Sequence, residues 1–165
     1  MNICFFVDDD LCWNLNTIRK TIPILQRNGL RVKCIWILPN KLSNKYGFKI
    51  TLWWLSTFGL INFIKLVLFY LLVRIKNKII NCENFNKLQT LTNVNVYNIK
   101  NPNEKSVISF IKKNKIKYSL SLTDHIFGSK ILKIPNHNIL NKHSSLLPSL
   151  KGLLPYFWAK IKKQN

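Results

Sequence analysis

Asn2-Ile3-Cys4-Phe5-Phe6-Val7 opens the chain as a short run that is almost wholly apolar. Brevity with no polar alternation is the pattern of a β-strand covered on both faces, because a half-exposed strand alternates. A second run of this kind, VKCIWIL over 32–38, is closed by Pro39-Asn40. Between the two, Ile18, Ile22, Ile24 and Leu25 give a helical stretch its apolar side, with Asn14 or Asn16 as its cap and Gly29 as its stop. Strand, helix and strand in that order make a parallel crossover unit.

The alternation continues downstream. Strands are expected over 95–99, over 118–122 (YSLSL) and, more briefly, over 139–141. Asn101-Pro102-Asn103-Glu104 predicts a helix start, with a cap, a proline at the first helical position and an acid in the first turn. That helix carries Val107, Ile108, Ile111 and Ile116. The expected fold is α/β: a Rossmann-like parallel sheet of about five strands with flanking helices. In such sheets ligands bind beyond the carboxyl ends of the strands. Asp8 to Asp10, Thr123 to His125 and Asn141 to His143 each follow a strand, so three strand ends are expected to meet in one cleft.

The stretch TLWWLSTFGLINFIKLVLFYLLV, 51–73, contains a single charge, Lys65. Its length and composition suit a membrane span with basic flanks. Spanning would place strands of one sheet on opposite sides of a bilayer. The reading is therefore an apolar helical insertion, 51–75, packed on the sheet or lying in a membrane interface, with a break near Gly59. Lys76 and Lys78 beyond it suit an anionic lipid surface, and equally suit plain solubility.

The chain has 165 residues, enough for one domain with a core, and at 47% hydrophobic residues it is not a disordered segment. Lysine and arginine total 26 against six acids, a formal charge of +20. A nucleic-acid or anionic-membrane partner is one implication. Only four of the cations are Arg, the residue suited to bidentate phosphate recognition, and no aromatic-basic motif accompanies them, so nucleic acid ranks last. Cys4, Cys12, Cys34 and Cys82 show neither Cys-x-x-Cys spacing nor a nearby His. No metal site or disulfide framework is expected, and Cys4 and Cys34 read as small core residues. His125 and His137 read as loop residues without partners. Asp8 to Asp10 interrupt any apolar leader, which makes cytoplasm the expected location, with membrane association through 51–73 beside it.

Asn141-Lys142-His143-Ser144-Ser145-Leu146-Leu147-Pro148, then Gly152, Pro155, Trp158 and Ala159, sets an amide donor and an imidazole two apart at a strand end, ahead of a rigid turn. The pattern NxHxSLLPxxxG resembles the signature of the folate-dependent formyltransferases, the glycinamide ribonucleotide, methionyl-tRNA and sugar N-formyltransferases. The resemblance covers nearly the whole chain, firmly so from about Val107 onward, and matches that family's amino-terminal domain. It implies formyl transfer from 10-formyltetrahydrofolate to a small-molecule amine. Asn141 would polarise the formyl carbonyl and His143 would act as acid-base or electrostatic partner. Pro148 would fix the turn, in cis as the family often holds it, and Gly152 would let backbone approach the substrate. Thr123, Asp124, His125, Ile126 and Phe127 would form the pterin-facing loop.

The family's third catalytic member, an Asp in a later Asp-x-Gly loop, has no counterpart before Asn165, where the sequence ends 22 residues after His143. The expectation is a domain 1–165 incomplete at its carboxyl end and of little activity by itself. Lys142 departs from the apolar residue usual between the two site residues. For Asp8-Asp9-Asp10 three roles stand open: a metal site, a contact to the acceptor amine, or a solvated strand end whose Asp caps a helix. The acceptor expected is an amino sugar on a nucleotide, since no tRNA-grasping domain is present. The alternative function is a non-catalytic membrane-surface accessory protein that uses 51–73.

Overall fold

β1 (Asn2–Asp8) lies at the centre of a five-stranded, all-parallel sheet in the computed structural model, which describes residues 1–41 and 45–142. β2 (Arg31–Leu38) pairs on one side of it, and β3 (Asn95–Asn98) lies beyond β2. β4 (Tyr118–Leu122) pairs on the other side, with β5 (Asn138–Asn141) outermost. The order is β3-β2-β1-β4-β5, so the direction of winding reverses between β1 and β4. A crevice opens at such a reversal, because the connections leave in opposite directions.

The uniform apolarity of β1 is explained by its two covers. Phe5 and Val7 face α1 (Asn14–Arg27) and α3 (Phe85–Thr92), in a core with Leu15, Ile18, Ile22, Phe85 and Leu88. Cys4 and Phe6 face α4 (Lys105–Lys113), with Val107 and Ile111, and the short α5 (Ser129–Leu132), with Ile131. Phe6 stacks on Trp36 at 4.6 Å between ring centres and meets Phe127 edge-on at 5.1 Å. β4 does alternate: Leu120 and Leu122 join the α1 side, while Ser119 and Ser121 are buried on the other.

Several expectations need correction. Neither candidate Asn caps α1. The Asp10 carboxylate accepts from the backbone N–H of Cys12 and Trp13 (2.7 and 3.2 Å), closing the turn ahead of the helix. Ile24 is exposed, so the helix buries only Leu15, Ile18 and Ile22. α4 begins at Lys105, later than Asn101-Pro102 suggested. Residues 101–104 form a turn instead, in which Glu104 accepts from the N–H of Lys100 and Asn101. α3 and α5 were not anticipated. α3 carries a readable signal, since Asn84 caps it by accepting from Lys87 N–H at 2.9 Å.

His137 lies in the loop before β5, as expected, but it does not lack a partner. It is buried, and its Nε2 lies 2.7 Å from Ser119 Oγ, which in turn lies 2.9 Å from Cys4 Sγ. Burial lowers its pKa, so the neutral ring fits this site. Cys4 and Cys34 are buried opposite each other in register, and burial pushes the Cys34 thiol up.

The apolar insertion is α2 (Phe48–Ile79), longer at both ends than 51–75. It breaks at Gly59, whose φ of 72° is a left-handed conformation that glycine adopts without strain. A straight 32-residue helix would hold its ends about 48 Å apart. Here both ends return to the same edge of the sheet. Gly47 lines one cavity with Asp8 and Asp10, and Asn77 near the far end donates to the Leu11 carbonyl at 3.2 Å. The two limbs, 48–58 and 60–79, therefore fold back on each other.

Candidate functional site

The carboxyl edge of the sheet brings together what the sequence set far apart. Asp8 ends β1, and its partners come from the turn after β4. The Thr123 hydroxyl donates to Asp8 Oδ1, and Asp124 N–H donates to Oδ2 at 3.3 Å. Asn14 reaches across the reversal from the start of α1. Its amide donates to the carbonyls of both Asp8 and Leu122, each at 3.2 Å. The ends of β1 and β4 are thus pinned by one side chain. Asn14, taken above as a cap, is instead part of the site's frame.

Burial pushes the Asp8 carboxyl from 3.8 up to about 6, against the hydrogen bonds from Thr123 and Asp124 that favour its charged form. Burial also raises Asp10 above its ordinary value. A carboxyl titrating near 6 at a strand end can hold or take up a proton close to neutrality, which is what amine chemistry requires. Asp8 and Asp10 are already engaged by protein donors. Among the described residues, no three His, Cys, Asp or Glu side chains come together as a metal site would need.

A cavity of about 540 Å³ adjoins Asp8 on the β1–β2 side. Its floor is polar, with Asp8, Asp10, Asn40 and Lys41, and its roof is apolar, with Trp54, Phe63 and Tyr70 from the two limbs of α2. Asn40 is fixed there by donating to the Asp9 carbonyl at 2.6 Å. That volume is ordinary for a small-molecule site.

The loop 123–127 leaves β4 beside Asp8 and reaches across to the end of β2. His125 is held by Nε2 at 3.0 Å from the Pro39 carbonyl, so this nitrogen carries the proton, and its own N–H donates to Thr123 Oγ1 at 3.1 Å. His125, like His137, has a partner that sequence reading did not reveal. Asp124 and Ile126 are exposed, whereas Phe127 turns inward onto Phe6. Asn103, before α4, donates to the Ile126 carbonyl at 2.9 Å and accepts from Gly128 N–H, which fixes the loop's far end. Its role was missed because its partners lie more than twenty positions away.

Asn141 ends β5, opposite Ser121 in register, and is exposed. Lys142 N–H continues the ladder, donating to the Ser121 carbonyl at 3.0 Å, so Lys142 does not disturb this edge. Two inter-strand spacings, about 10 Å, separate β5 from β1. Asn141, loop 123–127 and Asp8 therefore follow one another along a single edge, with the cavity beyond Asp8. His143, Pro148 and Gly152 lie outside the described residues.

No family model matches the chain, and no curated protein matches it. Solved structures do share its fold. Glycinamide ribonucleotide transformylase 1 from Symbiobacterium toebii superposes with a TM-score of 0.54 at 14% identity, over 98% of this chain and 60% of that one. Phosphoribosylglycinamide formyltransferase from Bacillus halodurans superposes with a TM-score of 0.55 at 15% identity, over 98% of this chain and 66% of that one. The chain spans less than two thirds of the length of either protein. What is common to all three is the Rossmann-like parallel fold.

Proposed function

We propose that this chain belongs with the folate-dependent formyltransferases and transfers a formyl group from 10-formyltetrahydrofolate to the amine of a small molecule, an amino sugar carried on a nucleotide. The observation that carries this reading is the common edge. Asn141, from the NxHxSLLP motif, shares it with Asp8 and loop 123–127 in a fold found in two formyltransferases. The donor supplies an activated formyl carbon.

Loop 123–127 offers an exposed acceptor, Asp124, and an exposed apolar contact, Ile126. Those groups fit a pterin ring, which presents N–H donors and a flat apolar face. The cavity beyond Asp8 fits the acceptor, with Lys41 available to nucleotide phosphates. Above its pKa, Asp8 accepts an N–H from the acceptor amine and helps it lose a proton as the new C–N bond forms. The Asn141 amide donates to the formyl oxygen as that oxygen gains negative charge. His143 carries the amine's proton toward the departing nitrogen of the donor.

Formyl transfer is measured on the protein as the cell makes it, with 10-formyltetrahydrofolate and a panel of nucleotide-linked amino sugars. Asn141→Ala is expected to lower kcat about 10²–10³-fold with little change in KM, the mark of an interaction made only in the transition state. Absence of both folate binding and formyl transfer in the folded protein would overturn the proposal. So would an unchanged kcat in Asn141→Ala.

A further inference from the structure

The two limbs of α2 are apolar on all sides, yet within α2 only Asn77 is buried. Ile61 is 72% exposed and Leu72 65%, and Leu60, Ile64, Leu68 and Ile75 are exposed beside them. A helix apolar all round calls for an apolar surrounding, and the sheet does not provide it. We propose that this hairpin dips into one leaflet of an anionic lipid bilayer and leaves the α/β sheet on the side from which it enters. The proposal bears on the transfer reading, because Trp54, Phe63 and Tyr70 of the two limbs also roof the cavity beside Asp8.

Three observations select lipid over other occupants. The first is topology. Because the limbs fold back at Gly59 and both ends return to the strand edge, insertion needs no strand to cross the bilayer. The conflict between a long apolar run and a single sheet disappears. The second is depth. The shorter limb, 48–58, is about 16 Å long, roughly half the 30 Å thickness of a hydrocarbon core. It is too short to span and long enough to reach the bilayer midplane.

The third is charge. No acid occurs between Asp10 and Glu83, and Lys45, Lys49, Arg74, Lys76 and Lys78 mark the bases of the two limbs. At that level they meet lipid headgroups, and anionic ones bind them best. Lys65 lies about 9 Å from the turn along the longer limb, and its long stem lets the ammonium reach back toward the interface. Trp53 and Trp54, midway along the short limb, would lie within the acyl-chain layer. A second copy of the chain is disfavoured as the cover, since each copy carries a formal charge of +20.

The full chain is tested by flotation with phosphatidylcholine vesicles, with and without phosphatidylglycerol. Expected is flotation with the anionic vesicles and quenching of Trp53 and Trp54 by lipids brominated along the acyl chain. The combined variant Ile61→Ser, Leu68→Ser, Leu72→Ser should lower the bound fraction about tenfold or more. Those side chains are exposed, so its thermal unfolding should match the parent's. The charge variant Lys76→Glu, Lys78→Glu should weaken binding to anionic vesicles only. Introduced cysteines, Lys45→Cys and Lys78→Cys, should both react with an impermeant reagent added outside sealed vesicles. Failure to float with anionic vesicles overturns the proposal, as does equal flotation of the serine variant. Labelling of only one of the two cysteines means a span and overturns the hairpin. A stable dimer that ignores vesicles gives the surface to a second copy.

Discussion

β1 and α2 are the two most apolar segments of the chain, and they end in opposite surroundings. Phe5, Phe6 and Val7 of β1 lie inside two helical layers, at 0–1% exposure. Leu60, Ile61 and Leu72 of α2 are 64–72% exposed. The difference lies in geometry. A strand presents alternate residues to opposite faces, so uniform apolarity means that both faces are covered, and the crossovers of a parallel sheet supply both covers. A helix apolar all round needs an enclosure on every side, and the described residues form no third layer to give it. Equal apolarity therefore specifies a fold in one segment and a need for another environment in the other.

The contrast is broken most directly by truncating one side chain from each segment. Phe6→Ala removes a fully buried ring that touches Trp36 and Phe127, and is expected to destabilise the fold by about 3–5 kcal/mol. Ile61→Ser, in the absence of lipid, should change stability by no more than about 0.5 kcal/mol. Urea unfolding of both variants measures the pair. Comparable losses would mean that α2 packs on the domain after all.

The same contrast sets how much could be read in advance. β1, β2 and β4 were legible because burial on two faces, or on one, writes itself into residue order. Their observed limits differ from those expected by a residue at most. That these strand ends share the carboxyl edge followed from parallel order, but the cavity found there is lined by neither loop 123–127 nor Asn141. What could not be read are contacts between residues distant in sequence. Asn14 binding the Leu122 carbonyl, His137 meeting Ser119, and Asn103 holding Ile126 are examples. Asparagine is also a poor marker here, since it is abundant along the whole chain and caps α3 while framing the site elsewhere. For α2, the break at Gly59 was legible but its consequence was not. Whether a glycine bends a helix or reverses it depends on where the two ends are anchored.

Asp8 sharpens the comparison at the point where β1 leaves the core. Burial lifts its carboxyl from 3.8 to about 6, so the folded state binds the proton more tightly than the unfolded chain does. The stabilisation linked to that proton is complete below about pH 4 and is lost as pH rises through 6. Asp8→Asn keeps the shape without the buried charge. It should be about 1–2 kcal/mol more stable than the parent at pH 8, part of the gain being offset by imperfect pairing with Asp124 N–H. At pH 4 the advantage should vanish. Urea titrations at the two pH values decide, and an advantage that persists unchanged at pH 4 would mean that charge is not the cause.

The smallest expected effect tests how α2 is attached. Asn77, the one buried residue of that helix, donates to the Leu11 carbonyl at 3.2 Å, while farther up the limb Phe69 stacks on the exposed Trp13. Asn77→Ala removes a single neutral hydrogen bond, worth about 1 kcal/mol or less to the whole domain. Its consequence should be uneven, because stability is not shared evenly between a core strand and a projecting helix. Amide exchange should quicken across 60–79 and stay unchanged in β1. If exchange instead rose equally in both, α2 and the sheet would open as one unit. The exposed limbs would then be an integral part of the fold, and the opposition between the two apolar segments would fail.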